Sequence, residues 1–339
     1  MASLTEQHAW IASRADAVAC SRLVRELGIA SGLGDARADE LAVVALELAT
    51  NVFMHAQSGW VTWRATSPEA VGVELVAIDR GPGMVVRRAR RDGFSTTGTA
   101  GLGLGAIERL SDALEIDSEP TGTVVVARVT AGTDDGARGH DVGAAHRPHV
   151  AETISGDGFL SWHLDADHLR VAVIDGLGHG PRAAEASRTV IDILQRHQGD
   201  TLERIVERTH AAARPTRGAA VAIADLKGRD LTLVSIGNVA CRMVATGRPS
   251  RGLPAQPGTV GATLPSRLRL MSETLPVNGI VIIHTDGLTM KWTAEELGHY
   301  EASSPSLVAG ALVRDRGRDH DDATCVAVRC LVEQGGVER

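Results

Sequence analysis

The stretch AGTDDGARGHDVGAAHRPH, residues 131–149, constrains the fold more than any other, because it separates two patterned halves and carries no pattern itself. Neither the helical nor the strand period runs through it, and Gly, Ala, Asp and His dominate it. It reads as a linker, with His140, His146 and His149 as solvated linker residues rather than metal ligands. A chain of 339 residues exceeds what one ordinary core organises, so a domain on each side is expected.

The halves differ in their order of elements. In the first, 14–29 and 35–56 read as helices, followed by strands in GWVTWRATS and VGVELVAIDRG. A Gly, Ser and Thr-rich loop over 92–105 then leads into a helix at 106–114, and LEIDSEPTGTVVVARVT closes the half as a hairpin. The second half predicts strands at 169–175, 219–226, 231–236, 239–245, 279–285 and 323–331, with helices at 181–197, 202–213 and 305–315. Gly237-Asn238, between two apolar runs, predicts a tight hairpin. So many strands without βαβ alternation indicate an α+β or sandwich architecture.

Several function classes are excluded early. A net charge of −7 argues against nucleic-acid binding, and the run Arg87, Arg88, Arg90, Arg91 reads as a solvated face. Four scattered cysteines without a C-x-x-C pair argue against a disulfide framework or zinc site. No secretory signal pattern or membrane-length apolar run is present, so a cytoplasmic protein without membrane partners is expected.

On the largely apolar helix 35–56, Glu47, Asn51 and His55 recur every four residues on one side. They are either an internally satisfied polar cluster or the wall of a wet cavity. Asp79 ends a strand and is followed by Gly81 and Gly83, which suits a carboxylate meeting a purine amino group. GLGLG, with Gly101, Gly103 and Gly105, opens a helix, where free N–H groups favour an anion.

In order, ELATN, DRGPG and GLGLG resemble the boxes of the GHKL (Bergerat-fold) ATP-binding superfamily over about residues 8–131, most like anti-sigma serine kinases of the RsbT type. The resemblance implies a Bergerat-type α/β sandwich that binds ATP and Mg2+. Asn51 would face the Mg2+, and Asp79 would read the adenine. Gly81, Gly83, Gly101, Gly103 and Gly105 would shape the pocket and close over the phosphates, and Glu47 would be the general base. His55 matches no family role.

In the second half VAVIDGLGHG ends a strand in Asp175-Gly176, HTDGLT repeats the device with Asp286, SGDG offers Asp157, and DDAT offers Asp321 and Asp322. Asp-Gly is also an ordinary turn signal, and the chain has five such dipeptides, so each alone reads as a turn. Converging strand-end carboxylates would instead repel one another unless cations lay between them, and an oxygen-only set selects Mg2+ or Mn2+. The order of these boxes resembles the SpoIIE/RsbX branch of the protein phosphatase 2C superfamily over about 148–333. That resemblance implies an αββα sandwich with two metal ions. Asp175 and the Gly176 carbonyl would bridge or bind them, Asp157 would serve near the second, and Asp286 and Asp321 would complete the first. His179 fits loop packing or hydrogen bonding better than a general acid.

The expected organisation is α+β in two domains: 1–131 kinase-like, 132–147 linker, 148–333 phosphatase-like, and a tail at 334–339. The resemblances together imply a bifunctional switch protein acting on STAS-domain antagonist or stressosome proteins. A sigma factor or its regulator is a further candidate partner. The alternative is an ATP-binding anti-sigma or regulatory module that controls the phosphatase and has no kinase activity.

Overall fold

The structure, a computed structural model, describes residues 7–66, 71–86, 103–132, 139–245, 247–289, 298–300 and 302–331. The chain divides into two compact units, Met1–Gly136 and Ala137–Arg339.

The first unit begins with strand β1 (Gln7–Ile11) and helices α1 (Arg14–Ala30) and α2 (Asp35–Ala56). Strands β2 (Gly59–Ala65) and β3 (Gly72–Asp79) follow, then α3 (Gly103–Leu110), β4 (Ala113–Glu119) and β5 (Gly122–Thr130). The strands form one antiparallel sheet in the order β1-β2-β3-β5-β4. Alternate residues Val61, Trp63, Val73, Leu75, Ala77, Val125, Ala127 and Val129 pack against Cys20, Val24, Leu41, Leu48 and Ile107 of the three helices. The period-2 and period-3.6 stripes thus meet in one core. The helix expected at 106–114 starts three residues earlier and ends four earlier. Residues 113–119 are instead a strand, because Ala113–Glu119 pair with Gly122–Arg128.

The second unit holds two five-stranded antiparallel sheets. One is ordered β13-β10-β9-β8-β7 and the other β12-β11-β14-β15-β6. The first comprises β7 (Asp157–Asp165), β8 (His168–Gly176), β9 (Ala219–Lys227), β10 (Asp230–Ile236) and β13 (Met271–Thr274). The second comprises β6 (His140–Arg147), β11 (Ala240–Val244), β12 (Arg251–Leu253), β14 (Ile280–His284) and β15 (Ala323–Cys330). Val171, Val173, Ala222, Ala224 and Leu233 of the first face Val142, Ala144, Val281, Ile283 and Val326 of the second. Helices α4 (Pro181–Arg196) and α5 (Leu202–Ala213) cover the outer side of the first sheet through Val190, Leu194, Ile205 and Val206. Helix α6 (Pro305–Arg316) lies against β6 and β15.

Two expectations are corrected. Residues 140–147 are not linker: they are β6, paired with β15 from Ala323↔Arg147 to Cys330↔His140. His140 and His146 are buried, His146 Nδ1 lying 2.7 Å from Thr324 Oγ1. The strand has no alternation because both its faces are covered, one by the opposite sheet and one by α6. Small residues let that helix approach closely, and a Cβ on Gly143 would stand 1.9 Å from Ser306 N. Gly143→Ala is therefore expected to destabilise the unit by about 1–3 kcal/mol, the range for overpacking. Thermal denaturation would show it as a fall of ~2–4 °C per kcal/mol.

The second correction is the hairpin at Gly237-Asn238. Strands β10 and β11 do not pair with each other; they belong to opposite sheets. Gly237, at φ +91°, carries the chain across the sandwich and leaves Asn238 exposed at its edge. Among the described residues no helix is long and apolar enough to cross a membrane.

Candidate active sites

In the first unit, α2 presents Glu47 and Asn51 one turn apart, both half-buried, while Leu41, Val44, Leu48 and Val52 face the core. The start of α3 lies directly on this pair. A Cβ on Gly103 would stand 3.2 Å from Glu47 Oε2 and 3.4 Å from Asn51 Oδ1. A helix N-terminus favours an anion, and the Glu47 carboxylate and Asn51 amide oxygen beside it suit one that brings a cation with it. Gly105 is buried within α3, Gly101 and the run 87–91 lie outside the described residues, and His55 is exposed.

Asp79 ends β3, half-buried, and its Oδ1 accepts the backbone N–H of Gly81 (2.8 Å) and of Thr123 (3.2 Å). The carboxylate is thereby held in one orientation. The glycines after it permit close approach: a Cβ on Gly81 would meet that of Ala56 at 2.8 Å. Gly83 has φ +71° and its Cβ would stand 2.2 Å from Glu119 O, so this position admits glycine alone. Sequence reasoning missed Thr123, whose contact with Asp79 depends on the β3–β5 pairing.

In the second unit, ladder register brings two aspartates together. Asp157 opens β7 directly opposite Asp175 near the end of β8. From the other sheet, Asp286 follows β14, and Asp321 and Asp322 precede β15, its hydrogen-bonded neighbour. Thr285 Oγ1 donates to Asp157 Oδ2 at 2.7 Å and links the two sheet edges. Gly176 donates its N–H to Gly156 O, and any Cβ there would stand 2.2 Å from Ala183 O.

The electrostatics follow from this crowding. Burial and the neighbouring Asp175 hold the Asp157 carboxyl well above the usual carboxylate range. Asp175 is pushed up to about 7 by burial and by Asp286, Asp321 and Asp322. Asp321 is raised by burial and by Asp286. Among the described residues no three acidic, His or Cys side chains already stand at chelating distance around one point. Asp157 is turned onto Thr285, and Asp286 accepts from Asn238 Nδ2 at 2.5 Å. The donors nevertheless suit a hard divalent cation: all are oxygens, and their mutual repulsion is what such a cation relieves. Asp322 is differently employed, since its carboxylate accepts the N–H groups of His149 (2.7 Å) and Gly156 (2.9 Å) and ties two loops together. His179 lies with Nδ1 2.9 Å from Glu152 Oε1 and stacks on His149 at 4.6 Å. Asn238 and Thr285 were the residues missed here, Asn238 because it read as a hairpin turn.

The first unit is a helix-on-sheet sandwich in which Gly103 lies on Glu47 and Asn51, and the second a two-sheet sandwich with an acidic edge. Together they define a kinase-like ATPase joined to a metal-dependent phosphatase fold. Residues 11–129 match the histidine kinase-like ATPase domain family, and residues 165–331 the stage II sporulation protein E (SpoIIE) family. Phosphoserine phosphatase RsbX of Bacillus subtilis (strain 168) is 32% identical over 142 residues, 41% of this chain and 70% of that protein. Serine/threonine-protein kinase RsbT of the same organism is 31% identical over 105 residues, 30% of this chain and 79% of that protein. The chain belongs to both families, RsbT-like in its first unit and RsbX/SpoIIE-like in its second. In fold, 56% of it is similar to 99% of a chain solved in work on the bacterial stressosome, with a TM-score of 0.52 and 24% identity.

Proposed function

We propose that the chain is a bifunctional switch protein of a bacterial partner-switching pathway, acting in the cytoplasm. Its first unit phosphorylates a serine or threonine of a STAS-domain antagonist or stressosome protein, and its second removes phosphate from such a protein. The observation that carries the reading is the crowding of Asp157, Asp175, Asp286 and Asp321, drawn from both sheets onto one edge, with raised Asp157, Asp175 and Asp321 pKa values.

At that edge, two Mg2+ or Mn2+ ions would supply, when bound, an acidified water and charge neutralisation for the phosphoryl group. Asp175, Asp157, Asp286, Asp321 and the Gly176 carbonyl would hold them. Thr285 keeps Asp157 oriented, and Asn238 does the same for Asp286. In the first unit, Asp79 accepts from the adenine amino group, and Gly81 and Gly83 let the base approach. Asn51 would offer its amide oxygen to the Mg2+ of ATP, and Gly101, Gly103 and Gly105 would close over the phosphates. Glu47 takes the proton of the attacking hydroxyl as its oxygen bonds to the γ-phosphorus and the bond to the β-phosphate breaks.

The test is to incubate the full chain with candidate STAS proteins, with Mg-ATP and separately, after phosphorylation, with Mn2+, following phosphate by mass. Phosphate gained in the first arm and lost in the second is expected. ATP binding without transfer, or retention of a sigma factor, would replace the kinase assignment with a regulatory or anti-sigma one.

A further inference from the structure

Beyond the acidic edge, the ladder between β8 and β9 continues past its last strand pair. Gly176 lies opposite Ala219, and the N–H of Leu177 donates to Gly218 O at 3.0 Å. The next step lays Arg217 alongside Gly178, and a Cβ on Gly178 would stand 2.9 Å from Arg217 Nη1. The guanidinium therefore covers the bare face of a glycine two residues beyond Gly176. Gly178 has φ +86°, so glycine is required there both for the backbone and for the room it leaves.

The turn bearing Arg217 is fixed from both sides. Thr216 Oγ1 donates to Ala213 O at 2.7 Å and accepts the N–H of Gly218 at 3.0 Å. Some arginines of this unit are spent on carboxylates: Arg170 on Asp225, Arg208 on Asp200, Arg251 on Glu273. Arg217 is exposed and has no carboxylate within ion-pair distance among the described residues. A permanent cation is thus held at the lip of a carboxylate cluster, its donors uncommitted. Its planar fork matches the oxygens of a phosphate monoester.

We propose that Arg217 is a substrate-binding residue of the second unit, which takes the phosphoryl oxygens of a phosphorylated serine or threonine side chain at the lip formed by Gly176–Gly180. The inference rests on the phosphatase reading, and calorimetry separates the two. Manganese is titrated into the full chain, and inorganic phosphate into the manganese-loaded chain, for wild type, Arg217→Ala, Arg217→Gln and Arg217→Lys. Loss of one charge-assisted hydrogen-bonding partner predicts phosphate affinity weaker by about tenfold or more in the Ala and Gln variants. Arg217→Lys retains part of it, and manganese affinity is unchanged in all three. With a phosphopeptide substrate, KM rises in the Ala variant more than kcat falls. Phosphate affinity equal to wild type in the Ala and Gln variants, or manganese affinity falling in parallel, overturns the assignment. Failure of the wild type to bind manganese rejects the phosphatase reading itself, and the role of Arg217 with it.

Discussion

Asp175→Asn is expected to remove dephosphorylation of a phosphoserine protein and to leave phosphate transfer from ATP intact. The residue lies where both sheet edges meet, opposite Asp157 and within the field of Asp286 and Asp321. The loss should exceed the ~10–100-fold typical of altering a residue that merely supports a metal ligand. A phosphate-release assay checks it, and a variant with more than about a hundredth of wild-type activity would refute the assignment.

The same position predicts a pH signature in the wild-type chain. Raised to about 7 from an ordinary value of 3.8, Asp175 keeps its proton in the fold at pH values where the unfolded chain has released it. The folded state then binds more protons, so its stability falls as pH rises from about 4 through 7. A divalent cation competes with that proton and relieves the repulsion. The rise in Tm on adding Mn2+ should therefore be larger at pH 8 than at pH 6, and Asp175→Asn should flatten the difference. An equal rise at both pH values would count against a cation among these carboxylates.

The second large effect concerns the other unit. Glu47→Ala is expected to slow phosphate transfer by about 10²–10⁴-fold, the range for losing a general base. Nucleotide affinity should stay near wild type, because Asp79 and the glycines around it are untouched. Glu47 is half-buried on the solvent side of α2, away from Leu48 and Val52, so its removal leaves the core intact. Radiolabel transfer to a STAS protein and equilibrium binding of an ATP analogue together check this. Transfer at the wild-type rate would remove Glu47 from the chemistry, whereas loss of binding would make it part of the pocket wall.

Much of this was legible in local sequence because the relevant signals are local. Glu47 and Asn51 share a face through helical spacing alone, and Asp79, Asp175 and Asp286 announce themselves as the residues where apolar runs stop. The likeness of both halves to known families was legible for the same reason: its boxes are short, contiguous and in a fixed order. Register was not legible. That Asp157 faces Asp175, that Thr123 holds Asp79, and that Asn238 reaches Asp286 depend on which strands pair.

The failures have a common physical cause. His140–Arg147 looked like linker because a strand covered on both faces by closely packed neighbours needs small residues rather than alternation. Gly237-Asn238 looked like a hairpin because a turn residue's backbone preference does not say which sheet the next strand joins. The amino-acid sequence by itself thus determined the two cores, the elements carrying most candidate residues and the chemical kind of each donor. Only the tertiary structure decided how carboxylates 18 to 164 residues apart come to crowd one edge, since that depends on long-range pairing and sandwich closure.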